Sequence, residues 1–452
     1  MSQSRRSPRF DDSLALFAGA VVKVLGDDAF AHGRALRDAF GRLGYLSEHK
    51  LESAIASRLQ DELRNALGHY YAADSGLLDP SEYGFARLWG APTLWEQVNL
   101  PTGKSIYLDV VDRRIVAQDW LAAPFDEPQP EPRRLVFWSA KGGVGRSTAL
   151  SVLAVYLAQA GHNVLVIDAD LEAPGLGSML LDQTGRPRFG LLDYLADNRL
   201  SPWQDEELAE FVAPSLLTDR VAGQGLVDVA PAVGTVTQSS PENMLAKLSR
   251  AFLEDPRGEG EPMAVGVQLR TFVDRLVGRR SYDAVLIDAR AGLAELAAGA
   301  LFALGATTLI FGVDQTQTFE DFRYLFAHLA RMPHSNAPDR DWRRRFRFVH
   351  AKADPQDTSN GFKDRLYEVL SDEFYEDYAT SAEEVTAFNF SLDDPNAPHA
   401  AISINFDFPY MRFDPVLHST QLRRETYRAA FAEFLSLAHG LLDLPNEKGS
   451  AT

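Results

Sequence analysis

Beyond residue 134, the apolar positions form short continuous runs that alternate with stretches of helical periodicity. The runs Leu135–Trp138 and Asn163–Ile167 flank the segment Arg146–Ala160, which has helical periodicity and is followed by Gly161, a typical helix stop. Continuous apolar strands separated by helices are typical of a parallel sheet covered on both faces. The pattern therefore predicts an α/β domain with a doubly wound, mostly parallel sheet.

The same alternation continues to the end of the chain. Further strands are predicted at Leu226–Ala230, Ala284–Ile287, Thr307–Val313 and Arg345–Val349. Helices are predicted at Glu242–Leu253, Val265–Val277, Leu293–Leu304, Phe319–Ala330 and Thr420–Leu442. We therefore expect the α/β domain to occupy residues 135–443, followed by a polar tail at 444–452.

Residues 1–121 have a different pattern, in which helical periodicity dominates. The predicted helices are Asp12–Leu25, Asp28–Leu43 and Glu48–His69, and two short strands are predicted at Ser105–Val111 and Arg114–Gln118. We therefore expect a smaller, mainly helical N-terminal domain. Alternating prolines at 122–134 block regular structure and predict an extended linker between the two domains.

Length and charge limit the functions that fit. A chain of 452 residues is long enough for two or three domains. It carries 45 Lys and Arg against 63 Asp and Glu, so long-range attraction to nucleic acid or anionic lipid is not favoured. The absence of an apolar signal segment and of a long apolar run predicts a cytoplasmic protein without a membrane anchor.

The types of metal-binding side chain in the sequence also limit which metal sites it can form. The chain contains no cysteine, which excludes disulfides, thiolate metal sites and cysteine nucleophiles from this sequence and suits a reducing compartment. Its ten histidines show no HExxH or similar ligand spacing. The spacing along the chain therefore predicts no dedicated transition-metal site.

The segment between the first strand and the first helix of the α/β pattern is glycine-rich. It reads Lys141, Gly142, Gly143, Val144, Gly145, Arg146, Ser147 and Thr148. Glycines let backbone N–H groups approach phosphate oxygens, and the positive end of the following helix attracts the anion. Against the GxxxxGK[ST] template, Ala140 replaces the first glycine and Arg146 replaces the lysine, whereas Ser147 keeps the hydroxyl. We therefore predict a nucleotide phosphate site with an unusual cation.

This loop resembles the signature of the ParA/MinD superfamily of deviant Walker P-loop ATPases. Val164–Asp170 is similar to the family's second strand, which ends in DxD, and Gly190–Leu195 resembles its GL-x-D-x-L helix. Tyr282–Asp288 resembles the Walker B strand, and Ala291 and Gly292 follow where the second switch begins. The blocks occur in the family's order, and the N-terminal domain lies outside the resemblance.

The resemblance implies ATP and Mg²⁺ as the ligands of the loop. Ser147 would place its hydroxyl on Mg²⁺ and Asp288 would hold the ion through water. Asp168 would lie close to the metal position, and Asp170 would orient the attacking water. The alternative for Asp168 and Asp170 is that both cap the turn after their strand.

Two cations of the loop carry further implications. The family implies that Lys141 reaches across an ATP-bound homodimer to the partner's phosphates, and the alternative is a solvated surface charge. The guanidinium of Arg146 keeps the positive charge but needs a different geometry from an ammonium group. Slow hydrolysis and binding without turnover therefore both remain open.

Other residues near these motifs have roles that the sequence leaves open. Arg290, after the Walker B aspartate, is either a sensor or arginine finger, or part of a surface salt bridge. By the resemblance, His350–Lys352 and Phe408–Tyr410 would contact the base.

Three functional hypotheses follow. The leading one is an ATP-controlled dimerisation switch that signals to a protein partner through its N-terminal domain. The second is a non-hydrolysing nucleotide-binding adaptor in a bacterial conflict or antiphage assembly. The third is a DNA-partitioning ATPase, suggested by the arginine run at 340–347 but not favoured by the acidic net charge. The final helix has a broad apolar stripe suited to packing, which argues against membrane targeting.

Overall fold

The computed structural model describes residues 7–100, 102–182, 184–215, 217, 224–255, 262–356, 361–377 and 387–445. Most of the predicted tail at 444–452 lies outside these ranges. The chain divides into two compact units. The first comprises residues 1–123 together with Arg331–Pro333, and the second comprises the remainder from Pro124 onward.

The first unit is a five-stranded sheet with helices on both faces. Its strands are β1 (Gly33–Arg37), β2 (Leu43–Ser47), β3 (Leu77–Leu78), β4 (Leu94–Asn99) and β5 (Ser105–Asp112), in the order β3-β2-β1-β5-β4. Its helices are α1 (Phe10–Leu25), α2 (Ser53–Leu67) and α3 (Phe85–Trp89). Helices α1 and α2 bury Phe17 and Leu63 in the core on one face, whereas Phe85 packs against Leu36 on the other.

This unit corrects part of the prediction for residues 1–121. The helix predicted at Asp28–Leu43 is wrong, because this segment contains a short 3-10 helix, Asp27–Ala31, and the central strand β1. Adjacent residues of β1 pack into different cores, Ala35 into one and Leu36 into the other. A strand buried on both faces loses the alternation that would distinguish it from a helix. The strand predicted at Arg114–Gln118 is also wrong, because these residues form no strand. The unit as a whole combines helices with a five-stranded sheet.

The second unit is built on an eight-stranded sheet. Its strands are β6 (Arg134–Ser139), β7 (Val164–Ala169), β8 (Ala213–Pro214), β9 (Val227–Ala230), β10 (Ala284–Ala289), β11 (Thr307–Gly312), β12 (Phe346–Ala353) and β13 (Ile402–Asn405). Their order is β13-β12-β11-β6-β10-β7-β9-β8, and all neighbours are parallel except β8 and β9. The predicted doubly wound, mostly parallel sheet is confirmed.

Helices cover this sheet. They are α4 (Arg146–Gln159), α5 (Leu176–Leu180), α6 (Leu191–Asp197), α7 (Thr235–Ser239), α8 (Met244–Ala251), α9 (Val265–Arg279), α10 (Glu295–Phe302), α11 (Thr316–Leu329), α12 (Gly361–Glu373) and α13 (Arg424–Leu441). Helix α13 packs its apolar stripe, including Phe434, into the core formed by α4 and the central strands. That stripe is therefore used internally. No described helix is long and apolar enough to cross a bilayer.

The proline-rich segment predicted as a linker at 122–134 belongs to the second unit from Pro124 onward. The Phe125 N–H donates to the carbonyl of Phe302 at 2.8 Å, and Gln129 Nε2 donates to Thr307 Oγ1 at 2.8 Å. Arg345 donates to the carbonyl of Phe125 at 3.0 Å. The segment is thus attached to the second unit's surface by specific hydrogen bonds.

Candidate nucleotide site

The glycine-rich loop joins the end of β6 to the start of α4, as the sequence predicts. Gly143 and Gly145 have φ angles of 77° and 102°, which L side chains rarely adopt. A Cβ atom on either residue would meet no neighbour within 4 Å, so the backbone here is accessible. The loop therefore presents its N–H groups and the positive end of a 14-residue helix to one anion position.

The residues predicted to hold Mg²⁺ meet beside this loop. Ser147 Oγ donates to Asp288 Oδ2 at 2.5 Å. Asp288 is 2% exposed, and its other oxygen, Oδ1, is buried without a hydrogen-bond partner among the described residues. A buried carboxylate oxygen without a donor is costly unless a cation or an ordered water satisfies it. The donor set of one hydroxyl and one carboxylate fits Mg²⁺, which binds oxygen ligands and keeps several waters.

Asp168 lies next to Asp288 because the two residues are register partners on β7 and β10. Its carboxylate accepts N–H groups from Asp170, Gly175 and Leu176 at 3.0–3.2 Å, so it caps the turn after β7. Burial, and then the charge of Asp288, raise the pKa of Asp168 to about 8. Burial raises the pKa of Asp288 to about 6, against the opposing effects of Arg146 and Ser147. A nearby cation would relieve this cost of charge.

Arg146 is anchored away from solvent. It is 7% exposed, its Nη1 donates to the carbonyl of Ala289 at 2.6 Å, and its Nη2 lies 3.6 Å from Asp170 Oδ2. The guanidinium therefore connects the start of α4 to the end of β10. An ammonium group on a lysine has no planar fork with which to make both contacts in this way.

Asp170 lies between two arginines. Besides Arg146, Arg290 Nη1 approaches Asp170 Oδ1 at 3.3 Å, and Arg290 Nε approaches Glu172 Oε2 at 2.5 Å. Burial nevertheless raises the pKa of Asp170, with both arginines acting in the opposite direction. Of the alternatives for Arg290, this geometry shows an ion pair with the carboxylate predicted to orient water.

Lys141 is exposed at the head of the loop. Its Nζ donates to Gln317 Oε1, on the first turn of α11, at 2.9 Å. This exposed hydrogen bond leaves the ammonium group at the surface of the unit. Gly142 beside it is exposed as well, whereas Val144 is buried under the loop.

A cavity of about 350 Å³ opens from the loop toward β12 and β13. The loop residues Gly143–Thr148 form one wall. The lining also includes Lys352, Asn405, Phe406 and Tyr410. Such a mixture of aromatic and amide side chains beside a phosphate loop is suited to a base and its sugar.

Several of these cavity residues were not predicted from the sequence, or were predicted to make a different contact. The four-residue strand β13 was not predicted, so Asn405 at its end was missed, and the only signal was the short alternation Ile402–Asn405. Lys352 was predicted near the base, but its Nζ donates to the carbonyl of Gly143 at 2.7 Å and so lies at the phosphate loop. Ala351 and Tyr410 line the cavity, whereas His350 stacks on Phe362.

Comparison with known proteins bears on this site. Residues 132–219, which include β6, the loop and β7, match the family model ParA, described as NUBPL iron-transfer P-loop NTPase. Over these residues the chain is similar to a ParA-type P-loop NTPase. The match covers the loop and Asp170, whereas Asp288 lies outside it.

Among curated proteins, the iron–sulfur cluster carrier protein of Escherichia coli K12 is 30% identical over 156 residues. The alignment covers 34% of this chain and 40% of that protein. The protein of the same name from Salmonella typhimurium LT2 gives the same values. The matched region therefore spans less than half the length of these relatives.

Among the solved structures that match this chain, several are covered over nearly their full length. The ParA family ATPase from Chlorobium tepidum TLS has a TM-score of 0.42 and 16% identity, and the match covers 68% of this chain and 99% of that one. The cell division ATPase MinD of Pyrococcus furiosus has a TM-score of 0.39 and 18% identity. The match covers 69% of this chain and 99% of that one.

The arginine run at 340–347 is used largely within the second unit. Arg343 is 5% exposed and pairs with Asp341 at 2.9 Å and with Glu376 at 2.6 Å. Arg345 is 7% exposed and donates to backbone carbonyls of the proline-rich segment. Two of the five arginines in this run therefore satisfy internal acceptors, which weakens the run as an indication of DNA contact.

Proposed function

We propose that this protein is an ATP-controlled switch. Mg-ATP binds at Gly142–Thr148, two copies associate around the nucleotide, and the N-terminal unit communicates the bound state to a protein partner. The observation that carries the proposal is the Ser147–Asp288 contact with its unsatisfied buried oxygen, beside a phosphate loop that opens into a cavity. The sequence has no cysteine, whose thiolate holds iron–sulfur clusters, so we propose no cluster transfer.

Each part of the nucleotide has a matching surface. The loop N–H groups and the start of α4 bind the phosphates. Ser147 and Asp288 would hold Mg²⁺, which would neutralise charge on the phosphate oxygens. The aromatic and amide side chains around Asn405 enclose the base, and adenine is assigned by the family resemblance.

Lys352 can offer the bound phosphate a positive charge, whereas Arg146 is engaged by other residues. Arg146 is held by Ala289 and Asp170, whereas the Lys352 ammonium group already lies on the loop carbonyl of Gly143. A phosphate bound in the loop would lie within reach of this flexible amine. Lys352 therefore takes over part of the charge neutralisation that a loop lysine performs in the general template.

Replacing Lys352 with alanine is expected to weaken ATP binding by at least about tenfold, because a charge-assisted hydrogen bond contributes about 1.5–3 kcal/mol. The measurement is equilibrium titration with a fluorescent ATP analogue. Lys363→Ala is the matched control, since Lys363 lies on α12 and pairs with Asp393 at 3.1 Å. Equal affinities for both variants would remove Lys352 from the phosphate site.

A phosphate-release assay tests whether the switch hydrolyses ATP. If Arg146 slows turnover by occupying Asp170, Arg146→Lys is expected to release phosphate at least about tenfold faster, equivalent to about 1.4 kcal/mol in the barrier. Asp170→Ala is expected to lower release by at least about 100-fold, as for loss of a group that assists proton transfer. Turnover in wild type that is unaffected by Asp170→Ala would contradict this assignment.

The non-hydrolysing adaptor is the second candidate, favoured by the position of Asp170 between Arg146 and Arg290. The Asp170 Oδ2 atom faces Arg146 and the Oδ1 atom faces Arg290, so a water oriented by this carboxylate would have to displace one of these contacts. In that case, wild type would bind Mg-ATP and associate but release no phosphate above background. The same assay therefore separates the two candidates.

A further inference from the structure

Two histidines and a glutamate cluster at one edge of the first unit. His32 Nδ1 lies 2.8 Å from Glu48 Oε2, and His49 Nε2 lies 3.8 Å from the same oxygen. The two imidazole rings have centroids 5.5 Å apart. One ligand atom from each residue can be chosen so that all three lie within 4.8 Å of one another.

The backbone holds these three residues in place. His32 directly precedes β1 and Glu48 directly follows β2, which are antiparallel neighbours with Gly33 opposite Ser47. The Glu48 N–H donates to the carbonyl of His32 at 2.9 Å, which extends the ladder by one pair. Ser47 Oγ donates to the carbonyl of His49 at 2.6 Å and fixes the next peptide. The cluster therefore lies on a paired sheet end.

The side chains remain accessible to solutes. His32 and His49 have side chains that are 64% and 71% exposed, and that of Glu48 is 42% exposed. His32 and Glu48 are 16 positions apart, so no linear ligand motif reveals the cluster. Only the pairing of β1 with β2 brings them together.

We propose that His32, Glu48 and His49 bind a Zn²⁺ ion with one coordination position left to water. Zinc is bound by imidazole nitrogen and carboxylate oxygen at about 2.0–2.2 Å, and two histidines with one glutamate form a known open donor set. Tetrahedral ligands at that distance are about 3.4 Å apart. The observed 2.8 and 3.8 Å lie on either side of this value, so small side-chain rotations complete the site.

The proposed zinc site shares no residue with the nucleotide site, and its ligands differ in chemistry. Mg²⁺ prefers oxygen ligands and waters, whereas imidazole favours zinc and other late transition metals. Bound zinc would connect the end of the 3-10 helix Asp27–Ala31 to the end of β2. It would therefore stabilise the first unit as well as present an open metal position at its surface.

The test uses the untagged full chain, stripped with a chelator and held in excess Mg²⁺, titrated with ZnCl₂ by calorimetry. Wild type is expected to bind one more Zn²⁺ than the double variant His32→Ala/His49→Ala. Each single variant is expected to bind at least about tenfold more weakly. Substitution with Co²⁺ should give visible absorption bands in wild type that the double variant lacks.

His69→Ala is the matched control, because His69 is an exposed histidine of the same unit outside the cluster. It should bind Zn²⁺ as wild type does. Without metal, all variants should unfold at the same temperature, and Zn²⁺ should raise this temperature only where the cluster is intact. Equal zinc stoichiometry and affinity in wild type and the double variant would overturn the proposal.

Discussion

Replacing Asp288 with asparagine is expected to remove the Mg²⁺ dependence of ATP binding and to lower affinity by at least about 100-fold. The change keeps the size of the side chain and an acceptor for Ser147, but it removes the charge that holds the ion. Loss of an interaction with a buried charged group costs about 3 kcal/mol or more. Titration of ATP with and without Mg²⁺ measures the effect.

The same variant separates binding from folding. Burial raises the pKa of Asp288 to about 6, so at neutral pH the side chain is ionised but its charge lowers the stability of the folded protein. Asp288→Asn is therefore expected to unfold at the wild-type temperature or above it without nucleotide, and to lose the stabilisation that Mg-ATP gives. Asp61→Asn, at an exposed aspartate of α2, serves as the control. Unchanged Mg²⁺ dependence in Asp288→Asn would exclude Asp288 from the metal site.

Replacing Lys141 with alanine is expected to leave ATP binding nearly intact and to abolish ATP-dependent association. In the single chain, the Lys141 ammonium group contacts only the exposed Gln317 among the partners described here, and an exposed contact of this kind contributes less than about 1 kcal/mol. Across a dimer, the same charge would neutralise a partner's phosphates, where its effect is much larger. Sedimentation of the variant with a non-hydrolysable ATP analogue measures association.

Lys50→Ala provides the comparison, since Lys50 is an exposed lysine of the first unit. It should associate as wild type does. If Lys141→Ala associated normally while keeping its affinity for ATP, Lys141 would be a solvated surface charge and the dimer would need another contact.

The local sequence pattern was sufficient to predict many of the strands and helices of the second unit. The glycine positions, the strand before them and the helix after them are neighbours in sequence, so the loop could be predicted from consecutive residues. The family resemblance pointed to Asp168 and Asp288, and the structure brings the two together as register partners on neighbouring parallel strands. Their role toward Mg²⁺ stays a prediction. The sheet order itself, with β6 between β10 and β11, depends on crossovers that periodicity does not specify.

The contacts of side chains across distant elements could not be predicted. Nothing near Arg146 in sequence indicates that its guanidinium binds the carbonyl of Ala289, 143 positions away. Lys352 reaches Gly143 across 209 positions, through a backbone with φ of 54°. Long-range contacts of this kind decide which cation reaches a phosphate, and they depend on packing and not on motif.

Strands that are very short, or that are buried on both faces, were also not predicted from the sequence. β1 pairs with β2 and β5 and packs residues into cores on both faces, so its apolar positions gave a helical period. β13 has four residues and pairs only with β12 in the sheet order, yet it places Asn405 in the cavity. Non-local pairing, which the sequence does not display, determines both strands.

The most direct test of the switch is the molar mass of the wild-type chain measured by sedimentation equilibrium with saturating ATP analogue, with and without Mg²⁺. We expect a monomer without nucleotide, a monomer with the analogue but without Mg²⁺, and a dimer only when both are present. A mass that stays the same in all three conditions, although titration shows the analogue bound, would contradict the account.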